Sequence, residues 1–88
     1  IIYCKGEGPY TFLCLSNGEK ELTSKPLKFY EDLLSAPHFL RTHQSYLVNR
    51  KYITCIKQSE YLILSNNEEI PISIRRKSFI LNELFPVK

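Results

Sequence analysis

Two short basic clusters follow apolar runs at positions where a strand would end. Asn49-Arg50-Lys51 comes after Tyr46-Leu47-Val48, and Arg75-Arg76-Lys77 comes after residues 70–74. Asparagine can pair with an adenine edge and arginine with a guanine edge in the major groove, while lysine offers a compact charge for phosphate. These residues therefore favour contact with DNA. The alternative is that Asn49 caps a turn and the basic side chains are only solvated.

The basic residues are unevenly distributed along the chain. The net charge is +3, but residues 1–37 carry four basic and five acidic side chains, whereas residues 38–88 carry eight basic and four acidic ones. All four arginines lie in the second part. This asymmetry suits a polyanionic partner, because lysine and arginine release counterions when they neutralise phosphates. An ordinary solvated surface is the alternative that charge alone leaves open.

Few residues could catalyse a reaction. His43 and Ser45 are two apart and would share a strand face, like a base beside a hydroxyl. A triad needs a third group to orient the histidine, and the single aspartate, Asp32, lies beside Glu31 on a charged helix face. We therefore predict that the protein is not an enzyme. We interpret His43 and Ser45 as structural polar groups that bond to backbone where strands meet.

Three cysteines, Cys4, Cys14 and Cys55, each lie inside an apolar stretch. Their odd number and spacing predict buried free thiols in a reducing cytoplasm, and the sequence leaves open whether Cys4 and Cys14 pair. His38 and His43 fit no zinc-binding spacing, so neither a metal nor a cofactor is expected. Since no run approaches the roughly 20 apolar residues of a membrane span, we predict no membrane partner.

Turn signals divide the chain into short apolar runs. The pair Asn17-Gly18 predicts a hairpin with a type I′ turn, and Asn66-Asn67 predicts a second hairpin in the same way. The flanking strands are predicted over residues 10–16, 20–23, 61–65 and 69–74. In the last of these, Ile70, Ile72 and Ile74 alternate with other residues and are expected to face the core. Pro71 lacks an N–H group, so this strand is predicted to lie at a sheet edge or to have that position turned outward.

The remaining pattern predicts further strands and two short helices. Apolar residues between Phe39 and Ile56 indicate strands around a turn at residues 49–51. One helix is predicted with Ser24 as its N-cap and the other from Ser78 onward. Their predicted apolar faces comprise Leu27, Tyr30 and Leu34 in the first, and Ile80, Leu81, Leu84 and Phe85 in the second. Since 88 residues hold one small core, we predict a single mainly β domain over residues 1–88.

This sequence resembles a known family. The run Phe39-Leu40-Arg41-Thr42-His43-Gln44-Ser45-Tyr46-Leu47-Val48-Asn49, then Ile53 and the segment Ile70-Pro71-Ile72-Ser73-Ile74-Arg75-Arg76, is similar to the LytTR-type DNA-binding domain of bacterial response regulators. Residues 1–10 also resemble that family's first conserved block, so the resemblance spans essentially the whole chain. It implies an elongated stack of small antiparallel β-sheets with two short peripheral helices. It also implies that loops between strands read DNA.

The resemblance implies roles for individual residues. The family's two base-contacting residues fall on Asn49 and Arg75. A third contacting loop falls at Pro9, with Gly8 and Tyr10 beside it. Phosphate contacts are expected from the basic neighbours of the two base-contacting residues, which are Arg50, Lys51, Arg76 and Lys77.

Some positions depart from the family's pattern. Pro9 stands where the family commonly has asparagine or histidine, and it offers no hydrogen-bond donor. Gln44 replaces a frequent arginine and Ile74 replaces the first of a frequent arginine pair, which removes two phosphate contacts. The family's leading strand would precede Ile1. We therefore expect the chain to be a piece of a longer regulator with an upstream receiver or sensor domain.

The residues and the resemblance together predict a bacterial, cytoplasmic domain that regulates transcription. It is expected to bind double-stranded DNA sequence-specifically through inter-strand loops in the major groove. Binding as a dimer to direct-repeat promoter sites is expected, because linked modules gain effective concentration on paired sites. The alternative is a β-rich module that binds protein or peptide at an exposed sheet edge near Pro71. RNA binding is less favoured, since no aromatic platform is recognisable.

Overall fold

The computed structural model describes residues 1–34 and 38–86, which form eight strands and two short helices. The strands are β1 (Tyr3–Glu7), β2 (Tyr10–Cys14), β3 (Lys20–Thr23), β4 (Phe39–His43), β5 (Tyr46–Asn49), β6 (Ile53–Lys57), β7 (Tyr61–Leu64) and β8 (Glu69–Pro71). The helices are α1 (Leu27–Leu33) and α2 (Lys77–Leu84), and 3₁₀ turns cover Arg50–Tyr52 and Ile74–Arg76. Among these described helices, none combines the length and apolar character that crossing a bilayer requires.

The strands form two antiparallel sheets. One has five strands in the order β3-β2-β1-β5-β4, and the other has three in the order β6-β7-β8. The molecule extends 40 × 24 × 20 Å, so it is about twice as long as it is wide. The predicted elongated stack of small antiparallel sheets with two short helices is confirmed.

Side-chain alternation in β1 assigns its residues to two different cores. Tyr3 pairs with Cys14 on one face of the five-stranded sheet, and Cys4 pairs with Leu13 on the other. The first face packs against the three-stranded sheet and α2. Its buried cluster comprises Ile2, Tyr3, Cys14, Leu40, Val48, Leu62, Leu64, Ile70, Ile72 and Ile80. The second face packs against α1 through Cys4, Leu27, Tyr30 and Leu47. The five-stranded sheet is therefore the middle of three layers.

The same alternation answers the question about the cysteines. Cys4 and Cys14 are buried on opposite faces of the sheet, and both are free thiols. Cys55 is exposed, so the prediction that all three cysteines are buried is wrong for this one. The reason is a register shift between Ile53 and Cys55 in the outer strand β6, which leaves both Thr54 and Cys55 facing solvent.

We expect the thiols to differ sharply in reactivity. In the native state, iodoacetamide should label Cys55 and spare Cys4 and Cys14, as peptide mass mapping can check. Burial raises the pKa of Cys4 from 9.0 to about 12. Because the pKa of Cys4 is higher in the folded state than in the unfolded state, its protonation contributes to the free energy of unfolding. This contribution is fully present below pH 9 and is lost as the pH rises from 9 towards 12. Rapid native labelling of Cys4 would contradict the layered packing.

Both predicted hairpins are present, but their turns are not type I′. Asn17-Gly18 joins β2 to β3, and positive φ occurs at Gly18, where φ is 89°, and not at Asn17. The Gly18 N–H donates to the Leu15 carbonyl at 3.0 Å, which fits a type I turn followed by a left-handed residue. Asn66-Asn67 repeats this arrangement, with a φ of 69° at its second residue. The hairpin prediction is confirmed, and the turn type is corrected.

A two-residue left-handed turn does occur at Gln58-Ser59, between β6 and β7. Their φ angles are 54° and 57°, and the Glu60 N–H donates to the Lys57 carbonyl at 3.0 Å. Positive φ at both central positions defines a type I′ turn, for which Asn-Gly is preferred. Neither glutamine nor serine signals this turn, so the sequence did not predict it.

Replacing Gln58-Ser59 by Asn-Gly should stabilise the protein. The variant removes the cost of left-handed backbone in an ordinary residue, which is about 1–2 kcal/mol. Glycine opposes this gain, because the greater entropy of the unfolded chain costs about 0.5–1 kcal/mol. The net gain in unfolding free energy should therefore be about 1 kcal/mol. Urea unfolding measures it. As a control, Ser16→Gly introduces glycine where φ is not positive and should destabilise the protein slightly. A loss of stability in the Asn-Gly variant would contradict the turn assignment.

The predicted helices are present with different boundaries. The N-cap of α1 is Pro26, so the prediction of Ser24 is wrong. A proline disfavours helical backbone in the residue before it, which excludes Lys25 and keeps Ser24 outside the helix. In α2, Ile80 is buried as predicted, whereas Phe85 is 56% exposed because the helix ends at Leu84.

The last predicted strand ends early. β8 stops at Pro71, and Ile74 lies in a 3₁₀ turn with 92% of its surface exposed, so its prediction as a core residue is wrong. Beyond Pro71, the Ile72 N–H donates to the Glu60 carbonyl and the Ser73 N–H donates to the Thr42 carbonyl in β4. The chain therefore leaves its own sheet and crosses to the other one. As predicted, Pro71 occupies an outer strand.

Candidate nucleic-acid interface

The antiparallel register separates the predicted site residues into two groups. The Gly6 N–H donates to the Ser45 carbonyl at 2.8 Å, which sets the turn after β1 beside the turn between β4 and β5. We call this the loop end of the five-stranded sheet. At the opposite end, the Asn49 N–H donates to the Ile2 carbonyl at 2.9 Å. We call this the cap end.

The loop end carries a cleft lined mainly by polar and basic side chains. Its volume is about 540 Å³, and it is lined by Arg41, Gln44, Ser73, Arg75, Arg76 and Phe79. Gln44 projects from the turn between β4 and β5, and Arg75 comes from the 3₁₀ turn Ile74–Arg76, which we call the arginine turn. Both side chains are exposed. A long amide and a guanidinium, the two groups that pair bidentately with purine edges, therefore share one surface.

The arginine turn is anchored to β4. The Ser73 N–H donates to the Thr42 carbonyl at 2.9 Å, and the Arg76 N–H donates back to the Ser73 carbonyl at 3.1 Å. An Arg76 guanidinium nitrogen also lies 3.4 Å from the Arg41 carbonyl. Within residues 1–34 and 38–86, no carboxylate lies within 4.0 Å of the Arg75 guanidinium or the Lys77 ammonium. Their positive charge is available to an anionic partner.

Arg41 fixes the turn that carries Gln44. Its guanidinium donates to the His43 carbonyl at 2.9 Å, to the Gln44 carbonyl at 2.6 Å and to a Glu31 carboxylate oxygen at 2.6 Å. Because Glu31 neutralises it, Arg41 acts chiefly by holding this turn against α1. Sequence reasoning missed this role, since no local pattern links Glu31 in α1 to Arg41 in β4.

His43 and Ser45 shape the same turn. The Ser45 N–H donates to His43 Nδ1 at 3.0 Å, and the His43 ring packs edge-on against Tyr46. The His43 ring therefore accepts a bond from the backbone of its own turn.

The neighbouring loop at this end is a tight turn. Glu7 pairs with Tyr10, which leaves Gly8 and Pro9 as the two turn residues, and Gly8 has a φ of 58°. Positive φ at the first turn residue and the negative φ of proline fit a type II′ turn. All of Gly8, Pro9 and Tyr10 are exposed beside the turn that carries Gln44.

Asn49 lies at the cap end, away from Arg75. Its Oδ1 accepts a bond from the Lys51 N–H at 3.0 Å, and its Nδ2 donates to the Ile1 carbonyl at 2.9 Å. The side chain therefore caps the 3₁₀ turn Arg50–Tyr52 and ties it to the start of the chain. One lone pair and one amide hydrogen remain unused by these bonds.

The basic neighbours of Asn49 differ in availability. The Arg50 guanidinium bonds to the Glu83 carbonyl and lies 3.6 Å from a Glu83 carboxylate oxygen, so it holds α2 against this end. Lys51 is exposed beside a shallow cavity of about 400 Å³ that His38, Asn49, Arg50 and Lys51 line. The structure thus brings Arg75 and Arg76 into one cleft with Gln44, and it does not bring Asn49, Arg50 and Lys51 there.

The stacked antiparallel sheets form a β-rich domain with a cleft lined mainly by polar and basic side chains. The LytTr DNA-binding domain family model matches residues 1–84, and the chain belongs to this family. It is therefore a DNA-binding domain. A solved structure of the LytTr DNA-binding domain of a putative methyl-accepting/DNA response regulator from Bacillus cereus is similar. The TM-score is 0.84 at 25% identity, with 97% of this chain and 81% of that chain covered. A comparison with curated proteins gives no match.

Proposed function

We propose that the loop end reads DNA sequence in the major groove, with Arg75 and Gln44 contacting base edges. The observation that carries this proposal is that both exposed side chains line one cleft, where no described carboxylate pairs with Arg75. Arginine donates two bonds to guanine O6 and N7, and glutamine pairs in the same bidentate way with adenine. The anchored backbone on both sides of the cleft supports sequence reading, because base contacts require fixed side-chain positions.

Phosphate contacts by the neighbouring basic residues would orient the domain on the duplex. Arg76 and Lys77 adjoin Arg75 in the chain, and Lys77 begins α2. Such contacts fix register and orientation, while the base contacts carry the sequence information. The exposed Gly8-Pro9 turn lies beside Gln44 and would approach the same groove. Pro9 offers no donor there, so its contribution is restricted to sugar or methyl contacts.

For Asn49, base contact stays a prediction from the sequence, and it requires a second DNA-facing surface at the cap end. The geometry supports a structural role for this residue, since each end of its amide already makes a bond. Lys51, which is exposed there, could meet phosphate if the duplex extends along the 40 Å axis.

We further propose that the domain serves a response regulator that controls transcription, by analogy with the similar Bacillus cereus domain, which belongs to a putative DNA response regulator. In this arrangement a receiver or sensor domain elsewhere in the full chain would bring two copies together on direct-repeat sites. Pairing raises the effective concentration of the second copy once the first is bound.

The competing peptide-binding function at the edge near Pro71 gains no support from the geometry. Directly after Pro71 the chain leaves the edge, because the Ser73 N–H donates to Thr42 in the other sheet. The edge strand β8 has only the three residues Glu69–Pro71, and Pro71 has no N–H to offer a peptide strand.

A comparison of Gln44→Ala with Asn49→Ala tests the proposed interface. Duplexes enriched from a random DNA pool by the wild-type chain serve as probes, and fluorescence anisotropy gives affinity for the preferred site and single-base variants. Gln44→Ala should lose about 1–3 kcal/mol on the preferred site and lose discrimination at one base pair. Asn49→Ala should keep discrimination and lose about 0.5–2 kcal/mol of stability through the missing cap.

The two variants separate the alternatives clearly. If Asn49→Ala removes discrimination at a base pair without lowering the urea midpoint, the cap end reads DNA as the sequence predicts. If Gln44→Ala binds every duplex as the wild type does, Gln44 does not read a base.

A further inference from the structure

Ile74 is the most exposed large apolar side chain among those that the structure describes. It is 92% exposed, whereas Ile70 and Ile72 in the same apolar series are 2% and 8% exposed. It stands between Ser73 and Arg75, which both line the cleft of the loop end. Ile74 itself does not line the cleft, so its apolar side chain adjoins the proposed base-reading arginine in the chain and projects into solvent.

The exposure of Ile74 does not arise from a frayed end. The Ile72 N–H donates to the Glu60 carbonyl at 2.8 Å, and the Ser73 N–H donates to the Thr42 carbonyl at 2.9 Å. On the other side, the Arg76 N–H closes the turn on the Ser73 carbonyl. Hydrogen bonds before and after Ile74 thus hold its backbone, so its side chain is presented from a fixed position.

The chemistry of the groove offers one partner for such a side chain. In the major groove each base pair displays hydrogen-bonding groups, and thymine also displays its C5-methyl group. Apolar side chains discriminate thymine by contact with this methyl group. Arg75 would satisfy the polar edge of one base pair, and its neighbour Ile74 is suited to the apolar group of an adjacent one.

We propose that Ile74 contacts the C5-methyl group of a thymine next to the base pair that Arg75 reads, and so selects thymine at that position. This inference rests on the proposed function of the loop end. It adds a second specificity-determining residue of different chemistry in the same turn. Two consecutive residues would then read two base pairs, one by hydrogen bonds and one by apolar contact.

Deoxyuridine substitution tests this contact, because it removes the methyl group and leaves base pairing intact. In duplexes enriched by the wild-type chain, each thymine near the Arg75-dependent base pair is replaced singly by deoxyuridine. The wild-type chain should lose about fourfold in affinity at one position, the factor expected for burial of one methyl group. Ile74→Ala should bind the thymine and deoxyuridine duplexes equally, while Ile74→Val should retain part of the preference.

Leu22→Ala is the matched control, because Leu22 is an exposed apolar residue, at 58%, on the distant strand β3. It should respond to deoxyuridine as the wild type does. The proposal would be overturned if no deoxyuridine substitution weakened binding by the wild-type chain. It would also be overturned if deoxyuridine weakened binding by Ile74→Ala as much as binding by the wild type. Enriched duplexes without thymine beside the Arg75-dependent position would also overturn it. A different result would contradict the proposed function of the loop end, namely that Arg75→Ala discriminates between duplexes as the wild type does.

Discussion

Replacing Arg75 by alanine should weaken binding to the preferred duplex by about 1–3 kcal/mol and flatten discrimination at one base pair. The guanidinium is exposed on an anchored turn, and no described carboxylate lies within ion-pair distance of it. A bidentate contact to guanine O6 and N7 depends on the planar fork of this group. Fluorescence anisotropy with the preferred duplex and its single-base variants measures both effects.

Arg75→Lys separates base reading from charge. Lysine keeps the positive charge but lacks the fork, so this variant should retain binding to unrelated duplexes and still lose discrimination at that base pair. Since Arg75 is exposed, neither variant should change the urea midpoint appreciably. Equal loss across all duplexes in Arg75→Ala, with full recovery in Arg75→Lys, would identify Arg75 as a phosphate contact instead.

Ile80→Ala should cost about 2–5 kcal/mol of unfolding free energy, the range for truncating a buried isoleucine. Ile80 is fully buried and joins α2 to the core between the two sheets. Because α2 continues directly from the arginine turn, its packing also supports the position of Arg75. Urea denaturation monitored by circular dichroism gives the change.

Phe79→Ala is the control for Ile80, since Phe79 is adjacent in α2 and 53% exposed. Its truncation should cost far less stability than Ile80→Ala. Comparable losses in the two variants would mean that α2 does not pack through Ile80. That result would contradict the layered arrangement of the domain.

Local pattern predicted most of the strands and part of the core between the two sheets. Alternation places Ile70 and Ile72 inside, and Asn17-Gly18 marks a hairpin. The same alternation fails at Ile74, because the Ser73 N–H bonds to Thr42 in the other sheet and draws the chain out of its strand. That bond joins residues far apart in the chain, and no local periodicity encodes it.

The candidate site was predicted in part for the same reason. Basic clusters at the ends of apolar runs marked both Arg75 and Asn49 as candidates. Their separation depends on strand register, which sets Gln44 beside Arg75 and leaves Asn49 at the other end of β5. The role of Arg41 likewise depends on Glu31 lying opposite it, a contact between two elements with no shared sequence signal.

The salt dependence of DNA binding, compared between the wild-type chain and Lys77→Ala, tests the central claim most directly. The logarithm of the binding constant should fall linearly with the logarithm of salt concentration, with a slope of about −2 to −3 for two or three neutralised phosphates. Lys77→Ala should reduce the slope by about 1 without changing which duplex is preferred. Affinity that is independent of salt, or an unchanged slope in Lys77→Ala, would contradict an interface that uses the basic residues of the loop end.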